Sequence, residues 1–200
     1  ASVNSSFIYN SIWLNLMGLF YQENNFNYLT LPSFLLYIFF IIFALRNIFH
    51  NTNYKVSNYF LIVSLFYLIL KFTRISEFGT DLPATLFSLL AIFYFLKYFE
   101  ISDRNTKISY FYFILGFSIF SILIKFSSIP LSILVIFIFL RDFKILKKEI
   151  FKLNFVFIYF LAFLFFIQQF IYSGCLIFPS ELTCFKMPWY NEEFLKFTEN

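Results

Sequence analysis

Residues 104–152 read RNTKISYFYFILGFSIFSILIKFSSIPLSILVIFIFLRDFKILKKEIFK. Two uncharged runs, 108–124 and 126–140, are separated by one lysine, Lys125, and bounded by basic clusters on either side. Both runs are apolar all round, so neither is the one-sided face of a helix packed in water. Lipid is the natural solvent for such segments.

The pattern extends in both directions, with further uncharged runs at 24–45, 56–70, 82–96 and 153–180. Six candidate spans result. A 15-residue run covers roughly 22 Å as a helix, against an apolar bilayer core of about 30 Å. Basic side chains at the run ends, such as Lys71, Lys97 and Arg141, can snorkel and extend the short ones. For Ser127–Leu140 a re-entrant half-helix is the alternative. Across the whole chain 60% of residues are hydrophobic and 13% charged, with mean hydropathy +0.78. A soluble domain carries about twice that charged fraction. The 36 phenylalanines accompany abundant Ile, Asn and Lys, a bias of AT-rich coding sequence rather than a functional signal.

Lysine and arginine set the sense of insertion. Segments 46–55, 97–107 and 141–152 hold ten of the 15 basic residues and alternate along the chain, which places them in the cytoplasm and residues 1–29, 72–81, 125–128 and 173–200 outside. The expected fold is all-α: a single transmembrane domain over 1–200, with spans at roughly 30–46, 56–72, 82–98, 108–124, 127–141 and 154–172. An interfacial helix is expected near the N-terminus, where Trp13, Leu16 and Met17 alternate with Asn10, Ser11 and Asn15, with a partial seventh span as the alternative. The chain starts at Ala1 without an initiator Met or a signal-peptide pattern, so it reads as a piece of a longer protein.

The outside segments carry the candidate chemistry. In KFTRISEFGTDLPA, Arg74, Glu77 and Asp81 precede the Pro83 that opens the next span. Asp81 has two readings, a helix-terminal carboxylate favoured by the dipole and a catalytic or metal-binding group. Lys125 sits between two spans, where an ammonium needs an anionic partner, a lipid phosphate or a path to the interface. We expect Asp81, Glu77, Arg74 and Lys125 to converge, because short connections make successive helices neighbours. Cys175 and Cys184 share the last outside segment, where an oxidising compartment permits a disulfide. Four glycines in the whole chain exclude a glycine-rich phosphate loop, and the sole histidine, His50, leaves no Cys/His metal site. Nothing in the pattern points to nucleic acid.

Five short motifs, taken in order and on one side of the membrane, resemble bacterial polytopic proteins allied to the GT-C glycosyltransferases and their uncharacterised relatives. They are Asn4-Ser5-Ser6, Thr80-Asp81-Leu82-Pro83, Ile124-Lys125-Phe126-Ser127-Ser128, the Ser173-Gly174 to Pro179 stretch, and Pro188-Trp189. Cys175 departs from the pattern at a position where an aromatic is more usual. The resemblance implies a GT-C-like bundle in a bacterial inner membrane, transferring sugar from a polyprenyl-phosphate-linked donor for envelope polysaccharide or glycolipid. Its usual catalytic acid, in a first outside loop, would lie upstream of Ala1. In this picture Asp81 or Glu77 acts as base or holds a divalent metal ion, no other cofactor being expected. Lys125 and Arg74 would bind the donor phosphate, while Asn4, Ser5 and Trp189 would line the donor and acceptor pocket. The partners expected are membrane lipid and a lipid-linked sugar. The rival readings are a transporter or flippase component, which would carry charge inside its spans, and a structural membrane subunit.

Overall fold

The computed structural model describes residues 11–19, 30–50, 55–72, 80–149, 152–173, 183 and 185. The described elements are all helical. In chain order they are α1 (Ile12–Gly18), α2 (Leu31–His50), α3 (Val56–Leu70), α4 (Asp81–Glu100), α5 (Arg104–Ile124), a 3₁₀ segment Phe126–Leu131, α6 (Ser132–Arg141), α7 (Phe143–Leu146) and α8 (Leu153–Ser173).

α4 and α5 form the central hairpin. Their connection is three residues long and ends on Asp103, whose carboxylate accepts from the Thr106 amide at 2.9 Å and the Thr106 hydroxyl at 2.6 Å. These bonds, the hydroxyl's first, hold the Asp103 carboxyl below the usual carboxylate range. The cap starts α5 at Arg104, so Arg104 and Lys107 lie within the helix rather than in the loop where charge counting put them. α4 likewise runs on to Glu100 and carries Lys97 in its last turn.

Each face of the hairpin buries a separate apolar cluster. Leu82, Leu86, Leu90 and Phe93 of α4 meet Tyr37, Phe40 and Ala44 of α2 and Leu61 and Leu68 of α3. Phe111, Ile114 and Leu115 of α5 pack with Ile138 of α6, Leu146 of α7 and Phe155 of α8. Trp13 and Met17 of α1 meet Ala84 and Ile124. The expected interfacial helix is thus seven residues long and packed onto the hairpin: the Ser11 hydroxyl donates to the Ile124 carbonyl at 2.9 Å, and the Trp13 indole N–H donates to Ser33 at 3.3 Å.

The outward faces are apolar as well. Phe39, Val63, Phe66, Ile133, Leu140 and Phe163 are each at least 60% exposed. A belt of this kind has no place in water, where contiguous exposed apolar patches stay within a few hundred Å². Among the described residues α2, α4 and α5 are long and apolar enough to cross a membrane, while Val56–Leu70, Phe126–Arg141 and Phe155–Gln168 are shorter apolar helices. The 3₁₀ segment lengthens one of these. Ser128 N–H donates to the Lys125 carbonyl at 3.0 Å, three residues back. At about 2.0 Å per 3₁₀ residue and 1.5 Å per α residue, Phe126–Arg141 reaches roughly 27 Å.

At the far end of the hairpin one carboxylate joins two helices. Glu100 accepts from the Ser57 amide at 2.8 Å and the Ser57 hydroxyl at 2.7 Å, supplying the N-terminal cap that Lys55 does not provide for α3. Lys97 lies 3.7 Å from the same carboxylate. Ser57 is fully buried, so removing its acceptor strands two donors. Glu100→Ala should therefore lower unfolding stability in detergent by about 2–3 kcal/mol, with Glu100→Gln falling between it and the wild type. A chemical-denaturation midpoint unchanged in Glu100→Ala would refute the assignment.

Candidate functional site

Three helix ends meet at the opposite end of the bundle, and each presents a charged group there. α4 begins at Asp81, with Thr80 at its cap and Pro83 in its first turn, where the missing proline N–H has no intrahelical partner to lose. A carboxylate at that position complements the positive end of the helix dipole. α5 ends at Lys125, whose extended backbone (φ −146°, ψ 117°) breaks the helix while its N–H still donates to the Ser121 carbonyl at 2.9 Å. α3 ends at Lys71, whose N–H donates to the carbonyls of Tyr67 and Leu68, each at 3.1 Å. Both lysines therefore sit at helix C-termini, where cations are favoured.

The Lys125 ammonium donates to Asp81 Oδ1 in a direct ion pair. With side chains 41% and 50% exposed, the pair is a surface one and contributes at most about 1 kcal/mol to the fold. Around it lies a cleft of about 300 Å³ whose wall includes Lys71, Asp81, Thr85, Ser88, Lys125 and Ser128. That volume is at the lower end of the range for small-molecule sites. Among the described residues the cleft carries two ammonium groups against one carboxylate, with hydroxyls interleaved.

The cleft floor is fixed by a polar seam between α4 and α5. Ser88 contacts the Ala84 carbonyl at 2.7 Å and Ser121 at 2.9 Å, and Ser121 contacts the same carbonyl at 2.9 Å. Two hydroxyl protons serve these three contacts, so one proton points at the carbonyl and the other at the carbonyl or its neighbour. The Thr85 hydroxyl donates to the Asp81 carbonyl at 2.7 Å, one turn back. α1 braces the same region through Ser11 and Trp13.

Of the residues singled out from sequence, Asp81 and Lys125 are brought together. Arg74, Glu77, Asn4, Ser5, Trp189, Cys175 and Cys184 lie outside the described residues. Lys71 joins the site, having been read only as a snorkelling end. Thr85 and Ser88 were missed, although Asp81, Thr85 and Ser88 recur at i, i+4 and i+7 as a polar stripe on an apolar helix. Among the described residues no group of three or more His, Cys, Asp or Glu could hold a metal ion.

A family model matches residues 1–199, the model described as "Domain of unknown function (DUF8201)". The chain belongs to the DUF8201 family. No curated protein and no solved structure matches it. The membrane-compatible hairpin and the Asp81–Lys125 cleft are therefore the physical basis for reading this DUF8201 chain.

The exposure of the ion pair and the burial of the seam predict losses of stability of different size. Lys125→Gln should lower unfolding stability by less than about 1 kcal/mol. Ser121→Leu drives a larger side chain into a fully buried position and should cost about 1–3 kcal/mol or more. Equal losses in the two variants, read from detergent-solubilised thermal unfolding, would show that the ion pair is structural.

Proposed function

We propose that this chain is the membrane domain of a glycosyltransferase-like protein that handles a polyprenyl-phosphate-linked sugar outside the cytoplasm, for envelope polysaccharide or glycolipid assembly in a bacterial inner membrane. The observation that carries the reading is the sharing of one hydroxyl-lined cleft by Lys71, Lys125 and Asp81 at the mouth of an apolar bundle. Among the described residues, the excess of ammonium over carboxylate at that boundary is complementary to a phosphate diester or monoester whose tail enters the surrounding lipid. The hydroxyls of Thr85, Ser88 and Ser128 suit the polar half of such a ligand. The reading includes six spans and a GT-C-like arrangement, with the alternating Lys/Arg segments as its support for sidedness.

The residues divide the work as follows. Before the donor binds, Lys125 is neutralised by Asp81. An arriving phosphate takes the Lys125 ammonium, with Lys71 as the second cation, and the Asp81 carboxylate, released from that ion pair, accepts a proton. In sugar transfer the acceptor O–H gives its proton to Asp81, the acceptor oxygen bonds to the anomeric carbon, and the bond from that carbon to the donor phosphate oxygen breaks. The departing lipid phosphate keeps the electron pair and is held by the two lysines. The chain of events is general-base catalysis with electrostatic stabilisation of the leaving group.

In the full-length protein Asp81→Asn should lower glycan product by about 10²–10⁴-fold, the range for removing a general base. Lys125→Ala should lower it severely and Lys125→Arg mildly, all three at normal membrane abundance. Loss of abundance in step with loss of product would mean that these residues serve the fold, and the proposal would fail.

Sidedness has its own test. A cysteine placed at Asn105 should react with an impermeant thiol reagent only after the membrane is breached, and one at Asn191 should react in intact spheroplasts, each in a background lacking Cys175 and Cys184. The reverse pattern would put the cleft on the cytoplasmic side.

A further inference from the structure

The end of the bundle away from the cleft carries a second site, built from charge. Between residues 46 and 55, 97 and 107, and 141 and 152 the sequence holds ten basic residues and four acidic ones, Glu100, Asp103, Asp142 and Glu149. All four acids are committed within the protein. Glu100 caps α3 through Ser57, Asp103 caps α5 through Thr106, Asp142 accepts from the Tyr98 hydroxyl at 2.6 Å, and Glu149 pairs with Lys152. Arg104, Lys107, Arg141, Lys144, Lys147 and Lys148 form no ion pair among the described residues.

Aromatic rings hold several of these cations in place. Arg141 lies 4.7 Å from the Phe99 ring centroid, Lys107 5.5 Å from that of Tyr98, and Lys147 5.8 Å from that of Phe143. Tyr98 and Phe99 are themselves in edge contact at 5.6 Å, so Lys107 and Arg141 flank one pair of adjacent rings. The Tyr98–Asp142 bond then ties this pair to the start of α7. Across α7 and its flanking residues the sequence DFKILKK, 142–148, turns Leu146 fully into the core and leaves Lys144, Lys147 and Lys148 exposed. The result is a cationic surface laid over rings, at the end of helices whose flanks are apolar.

From this we infer that the end of the bundle formed by α4, α5, the end of α6 and α7 binds the phosphate headgroup of an anionic membrane phospholipid, with Arg141, Lys107, Lys144, Lys147 and Lys148 as its contacts. A lipid rather than a soluble anion fits because the cations lie at the rim of an apolar belt, where a headgroup stands directly above its own chains. The inference is independent of the Asp81–Lys125 cleft and of which leaflet is involved.

The test uses the full chain, extracted from vesicles of equal parts phosphatidylglycerol and phosphatidylcholine, with retained lipid counted by mass spectrometry. The wild type should retain phosphatidylglycerol preferentially, and raising salt from about 0.1 M to about 1 M should release it. Lys144→Gln, Lys147→Gln and Lys148→Gln combined should reduce the preference by an order of magnitude or more, at about five-fold per residue near a membrane surface. Arg141→Gln alone should reduce it several-fold. The matching triple Lys→Arg variant should preserve it. Circular dichroism and size-exclusion profiles identify any variant that misfolds, in which case the salt release and Arg141→Gln decide. Equal retention of the two lipids, an unchanged preference in the folded Gln variants, or displacement by inorganic phosphate at constant ionic strength would each overturn the inference.

Discussion

The close approach of α4 and α5 at Ala84, Ser88 and Ser121 is the contact on which the rest of the structure depends. In an apolar solvent helices gain little from merely touching, because lipid tails are as apolar as leucine; small side chains and shared hydrogen bonds let two backbones draw together. Ala84 and the two serines provide both, with contacts of 2.7–2.9 Å around a single carbonyl. One turn outward from that seam, α4 reaches Asp81 and α5 reaches Lys125. Their ion pair follows from the antiparallel register that the seam sets. The same seam leaves the outer faces of the hairpin free to receive α2 and α3 on one side and α6, α7 and α8 on the other.

The two ends of the hairpin use carboxylates in opposite ways. At the basic end Glu100 and Asp103 are fold-forming groups: each accepts two hydrogen bonds from a single residue and closes the N-terminus of a helix. Those bonds are reciprocal with helix geometry, and an incoming anion has nothing to exchange for them. At the cleft, Asp81 has the dipole position of a capping residue, yet a half-exposed lysine side chain holds its carboxylate oxygen. Thus the question the sequence left open about Asp81, helix end or chemistry, has a structural answer in part: it stands at the helix end, and its carboxylate faces the cleft.

What was legible in the sequence followed from solvent and charge. Uncharged runs bounded by Lys and Arg gave the helices, and the sole lysine between two runs gave the meeting point with Asp81. Boundaries were less legible, because charge counting treats a basic residue as a loop residue. Arg104 and Lys107 are helical since a cap, Asp103 with Thr106 three residues on, decides where α5 starts, and Lys97 is helical because α4 runs on to Glu100. The signal was present as an Asp-x-x-Thr spacing and was outweighed by the charges around it. The 3₁₀ segment was hidden for another reason: apolar content records that a segment suits an apolar surrounding and is silent about its rise per residue. Tyr98–Asp142 and Ser57–Glu100 are contacts between residues more than 40 positions apart, and no local pattern announces them.

The energetics of the ion pair bear directly on the proposed role. A buried salt bridge is costly to open, since an uncompensated charge remains behind in a low-dielectric interior. The Asp81–Lys125 pair lies at the boundary, half in contact with solvent, and its net contribution is small. Exchanging one half-solvated anion for another is then nearly neutral for the fold, so a phosphate can take the lysine without disturbing α4 or α5. In the proposed exchange the seam beneath would keep both helix ends in register. A site that binds and releases a phosphorylated ligand needs this combination, a rigid frame bearing a weakly held charge pair, and in this chain the two properties belong to adjacent turns of the same two helices.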